Sequence, residues 1–346
     1  MKNIKKFKYF PLIKTRDAEL KAISRLSDDI LSEILPIYEL TKSRKTKVAP
    51  DGDIHRRMTL IAEIQGDKPF ILDVSSNDKY INPQMEQLLD ENKGYYEWQY
   101  FISLYSNLNI IPMIHLYDED DFSEVTKFVS EMSKLKSKLA VRLPFNLDDY
   151  KKFITPIIDG LNGDCKIFVI IDGEQVTSKE QENVTNGFLF ACQEIEEFNS
   201  KIEDIVILTT SFPLSPAKHG NDDEGEVSIL EEYIFQQVSQ EYPVKYGDYA
   251  SINIQQVEIK GGTFVPRIDI SLPEEIIYKR YRRDDGSYVL CAQKMVEDSR
   301  YNPIGTWADK EIELASKGTP SGISPSFWIA VRMNYYITTR VRLRSS

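Results

Sequence analysis

The chain has few of the residues that build disulfide frameworks and zinc sites. Its 346 residues include only three cysteines and three histidines. The cysteines, Cys165, Cys192 and Cys291, are too few and too widely spaced for a disulfide framework or a Cys-rich metal pattern. A histidine-rich zinc site is equally disfavoured. We therefore expect free thiols in the reducing environment of the cytoplasm.

Long hydrophobic runs are also missing. No segment approaches the roughly 20 apolar residues that span a bilayer, and Lys14 and Arg16 interrupt the apolar run after the basic N-terminus before it reaches signal-peptide length. The formal net charge is −11, which argues against non-specific nucleic-acid binding over the whole surface but leaves room for a local basic patch. We expect a cytoplasmic protein with no membrane association.

Two common catalytic motifs are missing as well. Ser211 lacks the flanking glycines of a nucleophile elbow, which argues against a serine hydrolase. The glycines at 160, 163, 261 and 262 are typical of turns and not of phosphate-binding loops.

Short apolar segments recur at the spacing of βα units, and seven of them end on a polar or charged residue. Amphipathic segments lie between them, such as the one in which Leu20, Ile23 and Leu26 recur at helical spacing. This alternation predicts an α/β fold, a (β/α)8 TIM-like barrel. The predicted strands are Tyr9–Lys14, Ile34–Glu39, Pro69–Asp73, Ile110–His115, Leu139–Arg142, Ile167–Asp172, Ile205–Ser211 and, more weakly, Tyr249–Asn253.

The pattern changes after the glycine pair at 261–262. We expect the barrel to occupy residues 1–262 and an α+β extension, residues 263–346, to pack on it, because so small a module is marginal alone. Within the extension we predict alternating strands near 267–271 and 275–282, a turn at 284–287 leading into another strand-like segment, and a closing helix that runs into a strand over 327–343. Before it, the polar segment 213–227 is predicted to be a mobile loop.

Function in such a barrel lies at the C-terminal ends of the strands. Six polar residues at predicted strand ends should meet there and form the candidate catalytic site. They are Lys14, Glu39, Asp73, His115, Arg142 and Asp172.

Three carboxylates in one barrel mouth repel one another unless their charge is compensated. Mg²⁺ or Mn²⁺ bound by Glu39, Asp73 and Asp172 is one means, and an ion-pair network with Lys14 and Arg142 is the other. The first predicts metal-assisted hydrolysis of a phosphodiester or nucleotide. The second is compatible with a site that senses a ligand or a protein, or with a purely structural network. Whether the protein is an enzyme stays open.

A second candidate site is the run Tyr278–Arg283, in which basic and aromatic residues alternate. Lys279, Arg280, Arg282 and Arg283 could follow a nucleic-acid backbone while the tyrosines stack on bases. This predicts a nucleic-acid-binding accessory protein. The alternative is an exposed edge strand whose charges prevent aggregation.

Several short motifs along the whole chain resemble the uncharacterised "beta family protein" group of bacteria and of phage or prophage regions. They include the segments 11–14, 36–39, 70–73, 169–173, 211–213, 247–249, 275–280 and 328–334. The group's closing motif usually carries paired histidines, where this chain has Tyr335 and Tyr336. The resemblance implies a barrel with a C-terminal extension. It also implies a role in antiphage defence or prophage conflict, as a sensor or an effector whose partner is another defence protein or a phage protein.

Overall fold

Eight parallel strands close into a barrel, which confirms the predicted fold class. The computed structural model describes residues 7–42, 47, 50, 52–75, 77, 79–116, 120–214, 223–255 and 264–345. The barrel strands follow one another around the ring in chain order, β1 to β7 and then β9. Strand β8 lies outside the barrel. The strands in chain order are β1 Phe10–Lys14, β2 Ile37–Leu40, β3 Phe70–Val74, β4 Ile110–Ile114, β5 Lys138–Pro144, β6 Lys166–Gln175, β7 Ile202–Thr210, β8 Glu224–Ser228 and β9 Val244–Asp248.

The register of the first three strands places the polar residues at or next to their C-terminal ends side by side. Lys14 pairs with Glu39, and Glu39 pairs with Asp73. These strands are buried on both faces, which explains why they read as continuous apolar runs without alternation.

The helices that surround the barrel each turn an apolar face toward it, while two later helices pack in the extension. In α6, for example, Val125, Phe128, Val129 and Met132 are buried, and their i, i+3, i+4, i+7 spacing forms one stripe. The helices are α1 Asp17–Ser24, α2 Asp28–Glu33, α3 Ile54–Gln65, α4 Pro83–Leu88, α5 Asn92–Leu104, α6 Ser123–Leu135, α7 Tyr150–Gly160, α8 Gln181–Ile195, α9 Leu230–Glu241, α10 Ser287–Glu297, α11 Trp307–Ser316 and α12 Pro325–Leu343.

The prediction of the eighth barrel strand was wrong: Tyr249–Asn253 was predicted, and the strand lies just before that segment. The strand is β9, Val244–Asp248, and residues 249–253 form the loop that follows it. Only alternate residues of β9 are strongly apolar, so it lacks the run that marks the other strands. Gly247 fits because a Cβ there would lie 2.9 Å from the Val206 side chain and 3.1 Å from the Phe10 carbonyl oxygen.

The polar segment 213–227 is not a loop throughout. Residues 224–228 form β8, which pairs antiparallel with β11, Glu275–Arg280, and β11 pairs in turn with β10, Arg267–Ser271. Backbone pairing outweighs the polar composition of β8, whose one strongly apolar side chain, Val227, is buried. Residues 215–222 of that segment, and the predicted barrel end at 261–262, lie outside the described residues.

Two further predictions for the extension were wrong. The segment after the 284–287 turn is helix α10 and not a strand, and α12 is one continuous helix through Leu343. Ser324 caps the start of α12 by accepting a hydrogen bond from the Phe327 backbone nitrogen. Arg340, in the last part of this helix, is fully buried.

Helix α12 joins the barrel to the extension. It packs against α1, and its residues Ala330, Met333, Ile337 and Val341 belong to the main barrel core. Another face, including Trp328, packs in a second core with residues of α10, α11 and β10. The last long helix of the chain therefore takes the place beside α1 where the eighth helix of a (β/α)8 barrel is expected.

Within the described part of the chain, no helix has both the length and the apolar character that crossing a membrane requires.

Candidate functional site

Arg142, from β5, is at the centre of the barrel mouth and binds all three predicted carboxylates. Its Nη1 donates to Glu39 Oε2 at 2.8 Å and to Asp73 Oδ2 at 3.1 Å, and its Nε donates to Asp172 Oδ2 at 2.8 Å. All three carboxylates are about 95% buried. The structure thus brings Glu39, Asp73, Arg142 and Asp172 together in one ion-pair network, which we call the mouth network.

Tyr249 is a member of the mouth network that the sequence analysis missed. Its hydroxyl donates to Asp172 Oδ2 at 2.6 Å and accepts from Arg142 Nη2 at 3.2 Å. The sequence pattern predicts Tyr249 inside the eighth strand. In the structure Tyr249 directly follows β9, so it lies near the C-terminal end of a barrel strand, as the other site residues do.

Lys14 reaches the same mouth but has a different partner from the expected one. Its Nζ donates to the backbone carbonyl of Ile254 at 2.6 Å and lies 4.3 Å from the centre of the Tyr80 ring. Burial lowers the pKa of Lys14, although the nearby Glu39 carboxylate opposes that shift. Lys14 therefore ties the loop after β9 to the mouth instead of forming a direct ion pair with Glu39.

His115 lies at the edge of the network, inside an aromatic wall. Its Nδ1 is 4.0 Å from Asp73 Oδ1, and its ring centre is 5.2 Å from that of Trp98 and 5.9 Å from that of Tyr95. Burial lowers the pKa of His115 to about 3. The imidazole is therefore neutral near pH 7 and supplies no positive charge to the site.

The carboxylates differ in their affinity for a proton. Burial raises the pKa of Asp73 to about 6, even though Arg142 opposes the shift. Burial also acts to raise the pKa of Glu39, but Arg142 and Lys14 outweigh it and hold that pKa below its usual value. Asp73 is therefore the member of this pair that takes up a proton first as the pH falls.

The geometry of the mouth distinguishes a bound metal ion from an ion-pair network as the source of charge compensation. Among the described residues, no group of three or more His, Cys, Asp or Glu side chains is arranged to hold a metal ion. The Arg142 guanidinium lies between the predicted ligands Glu39, Asp73 and Asp172 and donates to each of them. Of the two alternatives, the arrangement in the structure is the ion-pair network.

A small cavity opens over the mouth network. It has a volume of about 200 Å³, and Asp73, His115, Arg142, Asp172 and Glu174 are among its lining residues. Glu174 has a left-handed backbone with φ of 52°, and its nitrogen donates to Asp172 Oδ1 at 2.8 Å. A non-glycine residue in this conformation is strained. The strain is offset in part by that hydrogen bond, which also orients Asp172 toward Arg142.

The predicted nucleic-acid run does not form one basic surface. It begins in β11, the central strand of its sheet and not an edge strand. Lys279 is about 95% buried and its Nζ lies 2.7 Å from Glu224 Oε2 and 2.9 Å from Asp298 Oδ2. Arg282 and Arg283 are exposed in the following turn, and Arg283 stacks over Phe264. Lys279 is thus occupied by carboxylates. The edge-strand alternative is wrong, since β11 is the central strand, and nucleic-acid binding by the remaining arginines of the run stays a prediction.

A second buried polar cluster, also missed from the sequence, surrounds Asp248 at the end of β9. The hydroxyls of Tyr9, Tyr246 and Tyr336 all donate to its carboxylate, the last two at 2.7 Å. Tyr336 comes from α12 and occupies a position where the resemblance implied a histidine. A tyrosine hydroxyl satisfies a buried carboxylate without adding charge, so this cluster holds α12 against β9.

Glu231, from α9, borders this cluster and should make stability depend on pH. Burial, and then the nearby Asp248, raise the pKa of Glu231 to about 7. Between the ordinary pKa of 4.5 and about 7, the folded chain holds a proton that the unfolded chain has lost. The free energy of unfolding should therefore fall as the pH rises through this window, by about 1 kcal/mol per pH unit.

Glu231→Gln is expected to remove this slope above the pKa of Asp73, as measured by urea unfolding at several pH values between about 6 and 7. The control is Glu232→Gln, which removes the neighbouring buried carboxylate. Glu232 differs from Glu231 because it forms ion pairs with Arg340 and Arg344. An identical pH profile for Glu231→Gln and the unmodified protein would show that Glu231 does not titrate in this window.

The fold and site together define a (β/α)8-barrel protein whose mouth is closed by an arginine-centred carboxylate network. The sequence profile of the family described as Beta protein matches residues 9–342, and the chain belongs to that family.

Among characterised sequences, the chain is similar to "Protein beta" of Enterobacteria phage P4. The two are 27% identical over 347 residues, which cover 97% of this chain and 94% of the phage protein. Among solved structures, the spore cortex-lytic enzyme SleL of Bacillus megaterium QM B1551 matches with a TM-score of 0.35 and 11% identity, over 97% of this chain and 75% of that one.

Proposed function

We propose that the protein acts in the conflict between bacteria and phages, as a sensor or effector whose barrel mouth recognises a ligand or a partner protein. The observation that carries this proposal is the similarity to a phage P4 protein over 97% of the chain. This similarity extends over nearly the whole length of both proteins, since it also covers 94% of the phage protein.

The chemistry of the mouth favours recognition over catalysis. The three carboxylates already have a cationic partner in Arg142, and His115 is neutral. Charged groups fixed in a partly closed mouth discriminate between ligands, because a wrong partner leaves buried charges unpaired. A ligand with its own cation or hydrogen-bond donors could exchange with Arg142 and so change the conformation of the mouth.

A double substitution tests the role of the mouth network. Glu39→Gln with Asp172→Asn preserves side-chain volume and removes two charges. We expect loss of phage protection in a plaque assay, by at least about tenfold in efficiency of plating, because the charges that orient Arg142 are gone. Melting curves of the purified protein establish whether the variant is folded.

The matched control neutralises two exposed carboxylates, Glu131→Gln with Glu313→Gln, which lie in surface salt bridges. His115→Ala serves as a comparison, since we expect function to depend on the carboxylates more than on this side chain. Full protection by a folded Glu39→Gln, Asp172→Asn protein would show that the mouth is not the functional site.

A second candidate function, hydrolysis of a phosphodiester or nucleotide, is favoured by Asp73. A carboxyl group with a pKa of about 6 is suited to general acid–base catalysis near neutral pH. Purified protein would be incubated with nucleotides and oligonucleotides, with and without Mg²⁺ or Mn²⁺. Turnover that Asp73→Asn reduces by at least about 100-fold would support hydrolysis, and no turnover under any of these conditions would contradict it.

A further inference from the structure

A cleft separate from the mouth cavity lies between the barrel and the extension. Its volume is about 560 Å³, which is in the usual range for a small-molecule site. On the barrel side it is lined by the loops that follow β1, β7 and β9, and on the other side by residues of β10, α10 and the start of α12.

Among the described residues that line this cleft, positive charge is in excess. Arg16, Arg267, Arg280 and Arg332 all line it. Arg16 pairs with Glu19, but Arg267 and Arg332 both depend on the one carboxylate of Asp269, at 2.9 Å and 3.4 Å.

The other carboxylate of the cleft does not correct the excess. Asp17 is bound by Arg57 at 2.6 Å, outside the cleft lining. Two guanidinium groups, those of Arg267 and Arg332, therefore share a single negative charge.

Arg332 is buried with incomplete hydrogen bonding, and its Cζ lies 4.3 Å from the centre of the Phe212 ring, which supplies no hydrogen-bond acceptor for its outer nitrogens. It is about 96% buried, and its two hydrogen bonds are long, from Nε to Ser251 Oγ at 3.3 Å and from Nη1 to Asp269 Oδ2 at 3.4 Å. Its Nη2 donates no hydrogen bond within the described residues, and burial lowers the pKa of Arg332 to about 10. A buried cation with such incomplete compensation is costly, and an anion in the cleft would supply the missing acceptors.

The backbone around the cleft is also suited to binding an anion. Helices α1 and α12 both begin at it, with Arg16 at the N-cap of α1, and the N-terminus of a helix attracts anions. The loop after β9 turns through two left-handed residues, Ala250 and Ser251, with φ of 48° and 65°, which presents Ser251 to Arg332. In many (β/α)8 barrels, phosphate is bound by the loops after the last two barrel strands together with a helix N-terminus.

We propose that this cleft binds a phosphomonoester, a small molecule whose phosphate group is held by Arg332, Arg16 and Arg267. This site is distinct from the mouth network and does not depend on the function proposed for it. The two are connected through one loop, because Lys14 in the mouth donates to Ile254, next to the cleft-lining Asn253. Occupancy of the cleft would restrain that loop.

Isothermal titration calorimetry on the full-length protein tests the proposal with four probes. They are inorganic phosphate, ribose 5-phosphate, adenosine 5′-monophosphate and, without a phosphate group, adenosine. We expect at least one phosphorylated probe to bind, to weaken as the salt concentration rises, and to raise the melting temperature. Adenosine should not bind.

The relative affinities identify the source of the phosphate. Tighter binding of the nucleotide than of ribose 5-phosphate indicates a nucleotide site, and equal affinities indicate a sugar phosphate site. Binding of inorganic phosphate alone would overturn the assignment to a phosphomonoester. Binding of adenosine as tightly as of the nucleotide, or binding of none of the probes at millimolar concentration, would overturn the proposal.

Variants then locate the site. Arg332→Gln and Arg16→Gln should each raise the dissociation constant by at least about tenfold, because hydrogen bonds between charged groups are lost. Arg16 is partly exposed, so its substitution keeps the test valid if the buried Arg332→Gln protein fails to fold. Arg56→Gln, at an exposed position of α3, is the charge-matched control. An equal loss of affinity in Arg56→Gln and Arg16→Gln would overturn the assignment to this cleft.

Discussion

Replacing Arg142 with methionine is expected to destabilise the protein by about 3–5 kcal/mol, the cost of removing one partner from a buried ion pair. The effect should be at the upper end of that range because Arg142 is hydrogen-bonded to three carboxylates, those of Glu39, Asp73 and Asp172. Without it, three negative charges stay in one buried mouth and repel one another. Urea unfolding at pH 7 measures the loss.

Further variants show whether charge repulsion causes the loss of stability in Arg142→Met. Adding Glu39→Gln, Asp73→Asn and Asp172→Asn to Arg142→Met removes the repulsion, so we expect most of the stability to return. Arg142→Lys keeps the charge but cannot reproduce the planar set of donors, and should give an intermediate loss. If the Arg142→Met protein were as stable as the unmodified one, the mouth network would contribute nothing to folding.

The first seven barrel strands could be predicted because most of them share two properties. They are continuous apolar runs, since both faces are buried, and most have a polar residue at or near the C-terminal end, since that end faces the mouth. β9 ends on Asp248 but is not a continuous apolar run, because Lys245 and Gly247 interrupt it, and the more apolar segment after it, 249–253, is a loop. The composition of β9 follows from its close contacts with β1 and β7, which a single sequence does not reveal.

The order of the strands predicted that the polar residues meet in the mouth. It did not predict which of them form hydrogen bonds with one another. Strand ends place side chains on one face of the barrel, whereas the tilt of the strands decides which of them come within hydrogen-bond distance. That is why Arg142 reaches Glu39 across the barrel while Lys14, the neighbour of Glu39 in register, donates to Ile254 instead.

The tyrosine cluster around Asp248 could not be predicted for a different reason. Its members are far apart in sequence, and a tyrosine with a buried hydroxyl looks like any core aromatic residue until its partner is known. The same holds for the end of α12, which was predicted to run into a strand. In the structure, Arg340 is fully buried and bound to Glu232 and to backbone carbonyls of the extension.

The position of α12 leads to the prediction with the largest expected effect. A chain ending at residue 262 lacks α12, and we expect it to be aggregated or poorly folded. The loss exposes the barrel surface that Ala330, Met333, Ile337 and Val341 cover, and it leaves Glu232 without Arg340 and Arg344. Each large core side chain removed costs about 2–5 kcal/mol, so the sum approaches the whole stability of an ordinary domain, about 5–15 kcal/mol.

Solubility on expression and a thermal unfolding curve measure the outcome, and two comparisons show whether α12 is the cause. Co-expression of residues 263–346 should restore a soluble complex if the missing contacts are responsible. In the full chain, Met333→Ala, in the barrel core, should lower the melting temperature by several degrees, while Ile323→Ala, at a position 70% exposed just before α12, should not. A soluble 1–262 chain that unfolds cooperatively would show that the barrel closes without its eighth helix, and that α12 belongs to the extension alone.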